Sequence, residues 1–272
     1  MTERGAYEAI LTELRKNKAP HVHLEDFIYF MSKGIQEFIN EEYGRFETTQ
    51  QTSDALNSIT SWCNFKFNYT NANNPLVATT GNTLPNMTPV NFITGDRYNS
   101  KFVQVNLPFD YLHLLNCVTD VKTLFNYSCF GVGYMHSYGS KKLNADSASG
   151  VMSNAWLRPD FNNTFYKMLD HANTSGFTAQ SNNTILSPDV QIFYGKSSKF
   201  NVDNIYIEYL RKPKAITLTS NQIDLPSDTS AQLDFTDYVC NEIVKRVVKL
   251  ILENSKDQRI QTFVPVNSSI KS

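Results

Sequence analysis

The chain has 272 residues, with 25 Lys plus Arg against 26 Asp plus Glu and a formal net charge of −1. That balance excludes a bulk polycation that coats nucleic acid by neutralising phosphates. Apolar residues make up 41% and no run of 18 or more occurs, which excludes a helical membrane span. A chain of this size buries about 73% of its unfolded surface, so a core needs neither metal nor disulfide.

Charge density divides the chain into three stretches. Residues 1–46 carry 14 charged side chains, residues 47–200 carry 19 and residues 201–272 carry 18. Charge-rich helical ends flanking a weakly charged middle rich in Asn, Ser, Thr and aromatics is the reading this supports. No apolar h-region follows Met1 to Arg4, so a protein outside the usual secretory route is expected.

In chain order, Tyr7, Ile10, Leu11 and Leu14 recur at helical spacing, with Thr2 placed as an N-cap. Asn17 to Pro20 punctuates. Leu24, Phe27, Ile28, Met31, Ile35, Phe38 and Ile39 then mark a longer amphipathic helix that stops near Tyr43-Gly44. The period next changes to two. From Trp62 to Tyr69 one face takes Cys63, Phe65, Phe67 and Tyr69, and the other takes Asn64, Lys66 and Asn68, with Trp62 the exception. Lys101–Leu107, Leu114–Val121, Val190–Tyr194 and Ile205–Leu210 are further predicted strands. The polar stretches Thr70–Gly95 and Gly139–Asn183 read as long loops. Helix returns from about Thr236 to Asn254 on a stripe of Val239, Ile243, Val244, Val247, Val248, Ile251 and Leu252. Thr236 is placed as its N-cap, with Phe235 and Cys240 as a hydrophobic staple. Asp257–Ser272 reads as a tail.

The predicted fold class is therefore α+β. N- and C-terminal helices form a bundle, and an antiparallel, sandwich-like β domain with long loops is inserted between them. The predicted boundaries are 1–58, 59–212, 213–256 and a tail from 257.

Little in the sequence points to catalysis. There is no GxxxxGK[ST], GxGxxG, GxSxG or HExxH. Cys63, Cys117, Cys129 and Cys240 form no CxxC pair and read as reduced, buried thiols. His21 and His23 share one side of an extended segment, a geometry that can hold a metal, but the plainer reading is a loop leading into a helix whose acidic first turn (Glu25, Asp26) favours the helix dipole. Arg211, Lys212 and Lys214 form the densest basic cluster, a candidate contact for DNA phosphate or an acidic partner. Its plainer reading is a set of solvated cations where Pro213 ends a strand. The aromatic clusters Phe65, Phe67, Tyr69 and Phe125, Tyr127, Phe130, with no basic residue on their own faces, read as β core rather than base-stacking platforms. No catalytic residue, metal ligand or cofactor is assigned.

Order and local wording go further. Glu25-Asp26-Phe27 leads into Phe38-Ile39-Asn40-Glu41-Glu42-Tyr43, and Thr48-Thr49-Gln50-Gln51-Thr52-Ser53-Asp54 follows. Later come Leu107-Pro108-Phe109-Asp110-Tyr111-Leu112-His113-Leu114-Leu115-Asn116 and Ile205-Tyr206-Ile207-Glu208-Tyr209-Leu210-Arg211-Lys212-Pro213. Ile216-Thr217-Leu218, Leu225-Pro226 and Asn241-Glu242-Ile243-Val244-Lys245-Arg246-Val247-Val248 close the series. In this succession the chain resembles the head-to-tail connector (adaptor or ring) proteins of tailed bacteriophages, in particular those of crAss-like phages.

The resemblance implies a non-catalytic virion subunit, assembled in the host cytoplasm into a ring of commonly twelve copies at the head–tail junction. Its implied partners are further copies of itself, a portal or adjacent ring protein, tail or fibre proteins, and double-stranded DNA that passes without sequence-specific binding, with no membrane. Phe27, Phe38, Tyr43, Ile243 and Val247 on the helices, and Phe263, Val264 and Val266 in the tail, are the candidate interface residues. For the helical residues the plain alternative is an ordinary intramolecular core. Two other classes stay open: a virion decoration or glycan-binding β-sandwich protein with exposed Tyr and Trp, and a small hydrolase whose Cys or His residues meet only in the fold.

Overall fold

The computed structural model describes residues 1–16, 22–45, 54–71, 74–78, 92–97, 100–123, 135–144, 146, 148–154, 156–160, 163–169, 189–195 and 200–254. It is a mixed α and β protein that divides into two units. One comprises Met1–Ile59 together with Pro213–Ser272, and the other is the continuous segment Thr60–Lys212.

The discontinuous unit is built on α1 (Glu3–Lys16), α2 (Leu24–Gly44) and α5 (Asp237–Asn254), with the short α4 (Ser220–Asp224) between them. Thr2 caps α1 through the Gly5 N–H, which donates to its Oγ1 at 3.0 Å. α5 packs against both α1 and α2. Eight apolar side chains of α5 are buried, four of them valines. Valine costs a few tenths of a kcal/mol in helix propensity, whereas burying each side chain contributes about 1.5–3 kcal/mol, so packing decides. The Cys240 N–H closes the first turn on the Thr236 carbonyl, and its thiol reaches the Phe235 carbonyl at the staple position.

The N-terminal residues are tied to the segment before α5. Thr2 bridges Gln232, the Glu3 N–H donates to the Ala231 carbonyl, and Leu233 donates to the Met1 carbonyl. The Met1 ammonium is paired with Asp237. Glu3 is buried, and its carboxylate accepts the Thr217 N–H at 3.1 and 3.2 Å, which satisfies a charge that burial alone would penalise.

Among the described residues the continuous unit holds ten strands: β1 (Thr60–Asn71), β2 (Asn74–Ala78), β3 (Phe92–Arg97), β4 (Ser100–Asn106), β5 (Tyr111–Thr123), β6 (Met135–Gly139), β7 (Lys141–Lys142), β8 (Phe165–Leu169), β9 (Asp189–Gly195) and β10 (Phe200–Arg211). A short helix, α3 (Ala148–Ser153), lies between β7 and β8. The strands form two five-stranded sheets in the orders β2-β1-β10-β5-β6 and β3-β4-β9-β8-β7. All described pairings are antiparallel except β7 with β8, which is parallel, so the second sheet is mixed rather than purely antiparallel as expected.

One buried cluster draws on both sheets. It takes Cys63, Phe65, Cys117, Ile205, Ile207 and Tyr209 from the first and Val103, Val105, Val190 and Ile192 from the second. A smaller cluster joins Phe193 to Phe165, Leu143, Ala148 and Met152. The two regions expected as loops therefore contain β2, β3, β7, α3 and β8.

On the second sheet, alternation throws Phe102, Gln104 and Asn106 to the opposite face, where they meet Phe193, Gln191 and Asp189 in direct register. Gln191 donates to Gln104 Oε1 at 2.7 Å, while Gln104 and Asn106 donate to the two Asp189 oxygens at 2.8 and 2.7 Å. The buried carboxylate is thus held by two amides. Among the described residues, no helix is long and apolar enough to cross a membrane.

Candidate functional site

The described thiols are chemically quiet. Burial, with smaller contributions from Cys117 and Asp110, pushes the Cys63 thiol up to about 12, and burial pushes Cys117 up to about 12 as well. Burial also raises Cys240. Nucleophilic sulfur needs the thiolate, which none of these three supplies near neutral pH. Burial lowers the pKa of His113 and favours its neutral form, and His136 stacks on Tyr138 with centroids 4.2 Å apart. His23 sits exposed at the N-cap of α2 without a side-chain capping bond, and His21 and Cys129 lie outside the described residues. No group of three His, Cys, Asp or Glu side chains with metal-holding geometry occurs among the described residues.

Four of the helical interface candidates turn out to be core. Phe27 is fully buried and packs edge-on against Tyr7 with centroids 5.0 Å apart. Phe38, equally buried, meets Phe235 edge-on, and the Arg246 guanidinium lies 5.2 Å from its centroid. Ile243 and Val247 are buried in α5. These side chains are buried within their own chain and offer no surface to a partner as they stand. Tyr43 is half-buried. Phe263, Val264 and Val266 lie outside the described residues.

The basic cluster falls across the division between the units. Arg211 ends β10, half-buried, and the exposed Lys212 donates its backbone N–H to the Asp110 carbonyl at 2.6 Å. Lys214 belongs to the helical unit. Its ammonium stands 3.6 Å from Asp234 Oδ1, and its N–H donates to Oδ2 of the same carboxylate at 2.8 Å. This lysine already has its counter-charge. A cavity of about 340 Å³ in the helical unit is lined by Glu3, Ile35, Pro213, Ile216, Leu233 and Phe235 among others. The Glu3 carboxylate on its wall is committed to Thr217.

A different surface emerges on the first sheet. Trp62 of β1 stands opposite Glu208 of β10, and Asn64 stands opposite Tyr206. Trp62 is 52% exposed and Tyr206 39% exposed, and Glu208 is exposed as well. Asn116 and Val118 of β5 continue the two rows on the other side of β10. Next to them Asp120, only 6% exposed, accepts Ser137 Oγ at 2.5 Å and Asn204 Nδ2 at 2.9 Å. The Tyr206 phenol has its pKa raised, first by desolvation and then by the Asp120 carboxylate that it hydrogen-bonds.

The signal for this surface was present in the sequence. Trp62 is the residue that breaks the polar face of its strand, and a large aromatic on the solvent side of an alternating pattern is an exposed aromatic. No protein-family model matches the chain, and no curated protein matches it.

Proposed function

We propose that the protein is a structural subunit of a phage head-to-tail connector ring stacked below the portal, forming part of the DNA conduit and a platform for tail proteins. The observation that carries this reading is the discontinuous helical unit. Chain segments more than 150 residues apart, Met1–Ile59 and Pro213–Ser272, make one body, and the strand-rich segment is inserted between them. The sequence resemblance to connector proteins supplies the assignment that this organisation supports.

In this reading α1, α2 and α5 act as a bundle that builds the ring wall, and the two sheets stack face to face as a sandwich-like platform. Further copies, a portal or neighbouring ring protein, and tail or fibre proteins are the partners. DNA passes without sequence-specific contacts, which suits a net charge of −1. No catalytic residue or cofactor is assigned.

A heterologous subunit interface closes into a ring only when its rotation closes, so particle mass tests the reading directly. Twelve copies of the 31.0 kDa chain give about 370 kDa. Mass photometry of the purified protein, followed by negative-stain imaging, is expected to show annular particles near that mass. A monomer at every concentration, unchanged by added portal protein, removes the ring from the proposal.

A further inference from the structure

We propose that the outer face of the first sheet, centred on Trp62 and Tyr206, is a binding platform for a neutral oligosaccharide. The inference does not depend on ring assembly, since it concerns one face of the strand-bearing unit.

Three features of the face carry it. The first is the aromatic pair. Trp62 and Tyr206 belong to adjacent strands and stand on the diagonal of the register, a separation of roughly 7–8 Å that large side chains span. Two rings exposed side by side offer the apolar faces on which the C–H face of a pyranose stacks.

The second is that Tyr206 is held in place. Asp120 stands on the diagonal from it in the β5–β10 register, and its carboxylate takes Ser137 Oγ and Asn204 Nδ2. A network around a buried carboxylate thus fixes a side chain that faces solvent and adds little to the core. Fixing a ring in advance removes the ordering cost that binding would otherwise incur.

The third is the hydrogen-bonding character of the face. Asn64 lies on the same strand face as Trp62, half-buried and opposite Tyr206. Glu208 and Asn116, opposite each other and exposed, add further acceptors.

The same groups select the ligand class. Glu208 is exposed at the centre of the face, and Lys66 of β1 and Lys122 of β5 fall on the same strand faces further along, so charges of both signs are present and no net positive charge draws nucleic acid or acidic glycans. A second copy of the chain would bury Glu208 at the centre of the patch, where interfaces are depleted of charge. A neutral polyol, with many hydroxyl donors and no charge, fits both the rings and the acceptors.

The chain has two tryptophans, and the other, Trp156, is 93% exposed. Trp156→Phe therefore leaves Trp62 as the only indole reporter. The full-length protein is first applied to an array of neutral glucose, mannose, galactose and N-acetylhexosamine oligomers beside sialylated and sulfated ones. The retained neutral oligomers are then titrated into Trp156→Phe while Trp62 emission is followed.

The expected result is saturable binding of at least one neutral oligomer with a change in Trp62 emission, and no retention of acidic glycans. Trp62→Ala or Tyr206→Ala should weaken binding at least 10-fold. Tyr206→Phe, which keeps the ring but frees it from Asp120, should weaken it by a few fold. All three must match the parent in circular dichroism and thermal unfolding, and Glu208→Gln replaces any that does not, with the same 10-fold loss expected. Retention of no neutral oligomer overturns the proposal, as does binding that survives Trp62→Ala unchanged. A change in oligomeric mass on Trp62→Ala without any glycan binding overturns it in favour of a second copy on this face.

Discussion

Helices α2 and α5 come closest at Gly34, and that contact makes a sharp prediction. A Cβ built on Gly34 would lie 2.6 Å from Val247 Cγ2 and 3.9 Å from Leu250 Cδ1. Val247 is β-branched and fully buried in the α5 stripe, so it has one preferred rotamer and nowhere to turn. On an exposed helix, Gly→Ala stabilises by roughly 1 kcal/mol. Here the added methyl overpacks a filled core at a cost of about 1–3 kcal/mol, which the propensity gain offsets only in part. Gly34→Ala is therefore expected to destabilise by up to about 2 kcal/mol net, a fall of about 2–4 °C in midpoint for each kcal/mol at this chain length.

The rescue experiment isolates the cause. Val247→Ala alone removes two buried methyl groups, about 1.6 kcal/mol by transfer. With that space opened, Gly34→Ala should become neutral or stabilising, so the double mutant is no less stable than Val247→Ala. Urea unfolding of the four proteins by circular dichroism gives the coupling directly. Gly34→Ala more stable than the parent, or a double mutant with purely additive losses, would refute the close approach of α2 to α5.

Two further outcomes follow from the ionisable groups. Cys63 and Cys117, each pushed up to about 12 chiefly by burial, should remain unalkylated by iodoacetamide at pH 8 in the native protein and react fully in urea, as read by site-resolved mass spectrometry. Alkylation of both in the native state would contradict their burial. The Asp228 carboxyl is held down at about 2 by the Ser230 hydroxyl first, then by the Thr2 hydroxyl and the Ser230 N–H. A folded pKa below the unfolded one contributes stability above the unfolded value that is lost as pH falls through the folded one. The helical unit should therefore lose stability between about pH 4 and pH 2, and Asp228→Asn should flatten that part of the acid titration. The carboxylate is fully exposed, so solvent screening keeps the effect small.

How far the sequence spoke for the fold depends on how fully each element is covered. The strands legible from period two, β1, β4, β5, β9 and β10, all have neighbours on both sides, and one face of each is committed to the core. The edge strands β2, β3, β6 and β7 escaped the pattern. β2 carries Pro75 and β7 is only Lys141-Lys142, since an edge is paired on one side and tolerates proline and charge. β8 was missed beside its two-residue neighbour.

The helices were legible because their stripes are long, yet the stripe does not say what covers it. Phe27, Phe38, Ile243 and Val247 read equally well as interface or as core, and their own chain covers them. The candidate sheet face was less legible. The exposure of Trp62 follows from the alternation, but its pairing with Glu208 and the anchoring of Tyr206 by Asp120 depend on register between segments more than 80 residues apart, which no local pattern encodes.

That register also bears on how a discontinuous unit is possible at all. The strand-bearing segment begins with β1 and ends with β10, and these are antiparallel neighbours with Thr60 opposite Leu210. The ends of the inserted segment therefore stand one strand spacing apart, about 5 Å. Closing a flexible loop of about 150 residues costs on the order of 4 kcal/mol in its length-dependent part, and the helical unit would bear that cost if the segment were unstructured. Once β1 and β10 are paired, the pairing itself has met the closure. The chain then enters and leaves the segment on adjacent strands. The β1–β10 ladder thus brings the two ends of the inserted segment together, so the helical unit does not bear the closure cost of a long flexible loop.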